Sequence, residues 1–172
     1  MLSLSRSFVL LGALIVSASA YAERPLLWLD EGVNLNGRQF EIAPVTEVDR
    51  QADDTGATSS LQQKLTEHLA VLGVLASAAR ADGNRVIVVC RVMKYARGNV
   101  TGRWVGGGLG AAYIIVRVML LDGGSHALLG DMVSVQEIAG GGLFSIGAEK
   151  TVVSNAAEEI ANAIAQRQKA AR

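Results

Sequence analysis

Two runs of alternating apolar residues joined by a glycine pair constrain this chain more than anything else in it. Tyr113 to Leu121 places Ile114, Val116, Val118 and Leu120 on one face, and Leu128 to Ile138 follows after Asp122-Gly123-Gly124-Ser125. A period of two marks a strand, and glycine accepts the positive φ of tight hairpin turns. The pair reads as an antiparallel hairpin. Upstream, Val86 to Tyr95 alternates likewise, with Val86, Val88, Cys90 and Val92 opposed to Ile87, Val89, Arg91 and Met93. Arg91 and Arg117 interrupt the second face, which predicts a sheet covered by helices on one side and partly wet on the other.

Two helices are expected. In the first, Leu61, Leu65, Leu69 and Leu72 recur at helical spacing, Ser59 to Gln62 fits a capping box, and Gly73 is a candidate stop. The second runs from Thr151 to Lys169, with Val153, Ala157, Ile160 and Ile164 on one stripe and basic residues near its end. Arg38 to Val45 alternates and ends near Pro44, Thr46 to Gly56 reads as a polar loop, and Asp82-Gly83-Asn84 is a turn signal. Leu26-Leu27-Trp28-Leu29 fits either a short strand or a segment packed on the body. Strand, helix, three meandering strands and helix give an α+β fold: a mixed, largely antiparallel sheet with helices on one or both faces.

The first residues address the chain to the envelope. Met1 to Arg6 carries one positive charge, Phe8 to Val16 is an uncharged apolar run, and small residues precede Tyr21 and Glu23. This is the layout of a cleaved signal peptide over residues 1–22, its apolar run too short to span a bilayer. An extension over residues 23–37 and one domain over 38–169 would follow. No cysteine lies near the cleavage region, which reads against a lipid-modified N-terminus. A periplasmic or secreted protein with no stable membrane span is expected. Charged residues balance, 16 basic to 16 acidic, and loss of Arg6 with the signal leaves no basic excess. Nucleic acid is therefore not an expected partner, since that affinity comes largely from phosphate neutralisation. Cys90 is the only cysteine; its place among alternating valines reads as a small buried apolar side chain.

Two glycine clusters bracket the hairpin: Gly106-Gly107-Gly108-Leu109-Gly110 and Gly140-Gly141-Gly142-Leu143-Phe144. In an antiparallel hairpin the start of one strand lies beside the end of the next. Both clusters should meet at its open end, close to Arg97, Asn99, Arg103 and Trp104. The candidate binding residues are therefore Arg97, Asn99, Arg103, Trp104, Gly108, Gly110, Gly141 and Phe144. Glycine lets another backbone approach, the aromatics supply apolar contact, and arginine pairs with carboxylates or stacks on rings.

The run Lys94-Tyr95-Ala96-Arg97-Gly98-Asn99, then Arg103-Trp104, the glycine cluster and Arg117-Val118-Met119-Leu120-Leu121-Asp122 resembles a bacterial domain-of-unknown-function family, number 4410. Ala156-Ala157-Glu158-Glu159-Ile160 supplies its closing helix element. The resemblance covers roughly residues 40–165 and is best from Arg91 onward. It implies an exported envelope protein, since many members are lipoproteins. The implied fold is related to the small α/β domain of periplasmic assembly factors such as the curli secretion lipoprotein and the penicillin-binding-protein activators. The chain departs from the pattern in lacking a lipobox cysteine and in a short segment between its first helix and Val86.

No catalytic pattern accompanies these features. The cluster from Gly106 aligns with a dinucleotide fingerprint but precedes a strand, where the fingerprint follows one and opens a helix. His68 and His126 lie apart with no ligand cluster, so neither a metal nor a cofactor is expected. No serine has a positioned histidine, and Asp53-Asp54 reads as a solvated loop. The reading is a non-enzymatic envelope module that contacts a partner protein or itself through the hairpin end. The alternative is a small-ligand-binding or hydrolytic enzyme with a site assembled from scattered residues.

Overall fold

A computed structural model describes residues 27–48, 56–76, 84–98, 111–138 and 148–170. Its elements are β1 (Trp28–Leu29), β2 (Gln39–Ile42), β3 (Thr46–Glu47), α1 (Ala57–Val71), β4 (Arg85–Ala96), β5 (Ala112–Asp122), β6 (Leu128–Ile138) and α2 (Ala148–Ala170). The fold is α+β, with six strands in one mixed, mostly antiparallel sheet ordered β1-β6-β5-β4-β2. The alternating runs become the three long strands β4, β5 and β6, paired antiparallel in succession. Arg91 sits directly opposite Arg117, so both arginines do share a face.

No described helix covers that face. Val86, Val88, Cys90, Val92, Ile114, Val116, Val118 and Leu120 are all fully buried on the other, beneath α1 and α2. From α1 come Leu61, Leu65 and Leu69, one per turn; from α2 come Val153, Ala157, Ile160 and Ile164, the stripe that the periodicity predicts. Each of the leucine, isoleucine and valine side chains among them contributes about 1.5–3 kcal/mol on leaving water. The two helices pack on each other and on this one side, so the described elements form two layers.

Three expectations change. The stretch from Thr46 is not all loop: Thr46 and Glu47 form β3, parallel to β4 opposite Arg91 and Val92. Proline cannot donate to a ladder, so the edge beside β4 breaks at Pro44 and resumes beyond it; Val45 donates to Gln62 on α1 instead (3.1 Å). The capping box is absent. Gly56 occupies the cap position in the left-handed region (φ 69°), with no side-chain cap, and Ser59 Oγ turns back to donate to the Gly56 carbonyl (3.0 Å). Finally, β4 carries a bulge between Val92 and Lys94. The inserted Met93 shifts the alternation by one, so Tyr95 joins the valines in the core. Lys94 then sits over the Tyr113 ring, 5.4 Å from its centre.

Other junctions follow from local chemistry. Gly73 stops α1 with φ 70°, and the chain then runs beside β2, where Ala76 donates to the Phe40 carbonyl (2.8 Å). In the β5–β6 turn, Gly123 lies so close to Arg85 that a Cβ would stand 2.9 Å from its carbonyl oxygen. Asp122 ties that turn together: Oδ1 accepts from the Ser125 and Gly124 N–H groups and the Ser125 hydroxyl, and Oδ2 accepts from Arg38 (2.8 Å).

Candidate functional site

β6 is patterned inside-out. Its covered face carries Met132, Ser134 and Gln136, whereas Asp131, Val133, Val135 and Glu137 stand on the open side. Ser134 is fully buried, yet Val133 and Val135 are 51% and 59% exposed. These inward polar groups, Ser134 buried and Gln136 half-buried, are satisfied by α2: the Glu159 carboxylate accepts from the Ser134 hydroxyl and from Gln136 Nε2 (2.9 Å). A buried polar group left unpartnered costs about 1–3 kcal/mol, so Glu159 is what makes this orientation tenable. A slip by one residue would have buried the valines. Gly130 resists that slip, because a Cβ there would stand 2.5 Å from the Trp28 carbonyl oxygen and 2.7 Å from Leu29 Cδ2.

Around the two valines the open face is largely apolar. Ile87, Val89, Ile115, Met119 and Leu121 are half-buried there, and Trp28 on β1, opposite Asp131, is 57% exposed. Its charges include the pairs Arg117 with Asp131 (2.6 Å) and Arg85 with Glu41 (2.6 Å), and the exposed Arg91 and Glu137. β1 covers only Gly130 and Asp131 of the outer edge of β6. From Met132 to Ile138 that edge has no strand partner among the described residues.

The opposite end of the meander is where the sequence places its binding residues. Ala112 pairs with Ile138 and Ala96 with Tyr113, so the strand ends that flank both glycine clusters do meet. Arg97 follows β4 directly and is exposed. Asn99, Arg103, Trp104, Gly108, Gly110, Gly141 and Phe144 lie outside the described residues. Sequence reasoning missed Val133 and Val135; the signal for them was their alternation with the polar Ser134 and Gln136.

Chemistry-bearing groups elsewhere are tied into structure. Burial pushes the Cys90 thiol up to about 12, away from thiolate reactivity. The Asp122 carboxyl is held far below its ordinary range, first by the Ser125 N–H and then by Arg38. Among the described residues no group of three or more His, Cys, Asp or Glu is placed to hold a metal. No helix there is long and apolar enough to cross a membrane.

A three-stranded meander with helices on one side and an apolar, partly exposed other side defines a two-layer α+β class of protein. The chain belongs to the family described as Domain of unknown function (DUF4410), whose model matches residues 33–142. No curated protein is significantly similar to it. Solved structures share the fold at low identity. Protein XCC0632 from Xanthomonas campestris, of the DUF330 family, has a TM-score of 0.57 and 14% identity over 83% of this chain and 93% of that one. The PelC dodecamer from Paraburkholderia phytofirmans has a TM-score of 0.50 and 14% identity over 77% of this chain and 95% of that one.

Proposed function

We propose that this chain is a non-enzymatic, exported envelope module, periplasmic or secreted, that assembles with further copies of itself through the outward face of β6 and its edge beyond Asp131, which no described strand covers. The inside-out patterning of β6 carries this reading. Valine directed at water while serine is buried and glutamine turned inward is costly in a monomer, and its cost disappears once a second protein surface covers the valines. An unpaired strand edge beside an apolar face is also a ready template for another chain, and monomers ordinarily blunt such edges with charge or proline. A copy of the same chain brings a matching edge and a matching apolar face, as closed symmetric assemblies require. The PelC structure, solved as a dodecamer, is in keeping with assembly on this fold. The hairpin end, with Arg97, Asn99, Arg103, Trp104, Gly108, Gly110, Gly141 and Phe144, is proposed as a second contact surface toward other envelope proteins.

Light scattering on the chain from residue 23 onward tests the reading. The wild type should be multimeric at micromolar concentration, and Val133→Lys with Val135→Lys should give monomers of unchanged helix and strand content. A monomeric wild type, or an assembled double variant, would overturn it. Arg103→Ala with Trp104→Ala is the parallel arm: should only that pair abolish assembly, the self-contact belongs to the hairpin end.

A further inference from the structure

A cleft of about 200 Å³ opens where the start of α1, the end of β4 and the start of α2 meet. Gly56, Ala57, Ser60 and Lys64 line it from α1, Tyr95 and Arg97 from the β4 end, and Lys150 and Val153 from α2. Three cations from three elements thus converge, and no described lining residue is acidic. Their pairing is uneven. Lys64 has a carboxylate partner, Glu67 (2.8 Å), displayed on the helix surface. Arg97 and Lys150 have no carboxylate within ion-pair distance among the described residues. Arg38, Arg85 and Arg117, by contrast, each hold one. The rest of the wall suits a ligand with a polar end and a short apolar body: Tyr95 and Val153 are buried, and Ser60 offers a hydroxyl.

We infer that this cleft binds an oxyanion, a phosphate or carboxylate end group of a larger ligand, through Arg97 and Lys150 with Lys64 as a third, shared cation. A fixed guanidinium fork favours planar or tetrahedral oxyanions over halide, because it donates two parallel hydrogen bonds. The volume falls below the few hundred Å³ of sites that enclose whole drug-sized molecules, so an end group fits and the remainder of the ligand stays outside. This inference is independent of self-association, since the cleft lies on the helical side of the sheet and away from the open face of β6.

The test is a titration of the chain from residue 23 onward, followed by NMR amide shifts at about 0.15 M ionic strength, where exposed charges are largely screened beyond a Debye length. The probes are inorganic phosphate, galacturonate, and phosphatidylglycerol vesicles against phosphatidylcholine vesicles in co-sedimentation. Phosphate or galacturonate should give saturable shifts at Ala57 to Ser60 and at Arg97. Arg97→Ala with Lys150→Ala should weaken that binding at least about tenfold, roughly 1.4 kcal/mol. Lys169→Ala, at the far end of α2, should bind as the wild type does. Co-sedimentation with phosphatidylglycerol vesicles alone, lost in the same double variant, assigns the oxyanion to a lipid headgroup; binding of the free anions assigns it to a soluble ligand. Failure of every probe to saturate, or binding that survives the double variant, overturns the site.

Discussion

β5 and β6 are hydrogen-bonded neighbours along their whole length, yet they are patterned in opposite senses. β5 sends Ile114, Val116, Val118 and Leu120 inward and interrupts its outer face with Arg117. β6 sends Ser134 and Gln136 inward and keeps Val133 and Val135 outside. The first arrangement is what a monomeric two-layer protein needs. The second is met by Glu159, which accepts from both inward polar groups, and it leaves Val133 and Val135 exposed to water. Alternation in sequence therefore identifies a strand without saying which of its faces points inward. The partner elements decide that.

The sharpest way to break the comparison is to truncate equivalent side chains on the two strands. Ile114→Ala should cost about 2–5 kcal/mol, because it opens a cavity in a close-packed interior. Val133→Ala should stay within about 0.5 kcal/mol in the monomer, as an exposed substitution does. Urea melts of both variants, made at a concentration where the chain is monomeric, read the difference directly. Equal losses would mean that the open face of β6 is packed in the monomer and needs no second copy.

Gly130 sharpens the comparison from the other side, since it fixes which face of β6 is outward. A Cβ there meets the Trp28 backbone oxygen, which cannot swing aside as the end of a long side chain would. Gly130→Ala should cost about 1–3 kcal/mol, as overpacked sites do, and hydrogen exchange should show β1 released, with the Asp30 N–H losing its bond to the Leu129 carbonyl (2.9 Å). An unchanged β1 with unchanged stability would remove the glycine from the account of the register.

Much of this arrangement was legible beforehand. The period of two in β4 and β5, the leucines of α1 and the stripe of α2 each report burial on one side of a long element, where the hydrophobic signal repeats often enough to be read. The common side of Arg91 and Arg117 was legible for the same reason. The two-residue strand β1 was readable only as one of two alternatives for residues 26–29, and β3 was not readable, because two residues carry no period and their placement comes from the long strands they join. Nor was the Met93 bulge, which changes the face of Tyr95 without changing the composition of the run. Gly56 at the start of α1 was hidden behind a plausible capping box at Ser59. Of the candidate site, the meeting of the strand ends beside the two glycine clusters was readable from hairpin geometry alone. The convergence of Arg97 with Lys64 and Lys150 depends on how α1 and α2 dock, and no local pattern encodes that.

The smallest effect concerns the turn that joins the two strands. Asp122 closes β5 and accepts hydrogen bonds from Ser125, Gly124 and Arg38, so its carboxyl is held far below the ordinary value. A carboxyl whose folded value is depressed binds its proton more readily in the unfolded chain. Its contribution is therefore complete above the unfolded value of about 3.9 and declines as pH falls from there toward the folded value. Asp122→Asn keeps one acceptor oxygen but removes the charge that Arg38 faces. The variant should melt slightly below the wild type by a constant margin from neutral pH to about pH 5, and that margin should shrink below about pH 4 as the wild-type carboxylate is titrated. A margin that persists undiminished into strong acid would show that the amide's geometry, and not the lost charge, is what loosens the turn. Because the turn sets how β6 leaves β5, a loosened turn that also weakens self-association would link this charge to the outward face of Val133 and Val135. Unchanged assembly would leave Gly130 and Glu159 as the groups that hold that face in place.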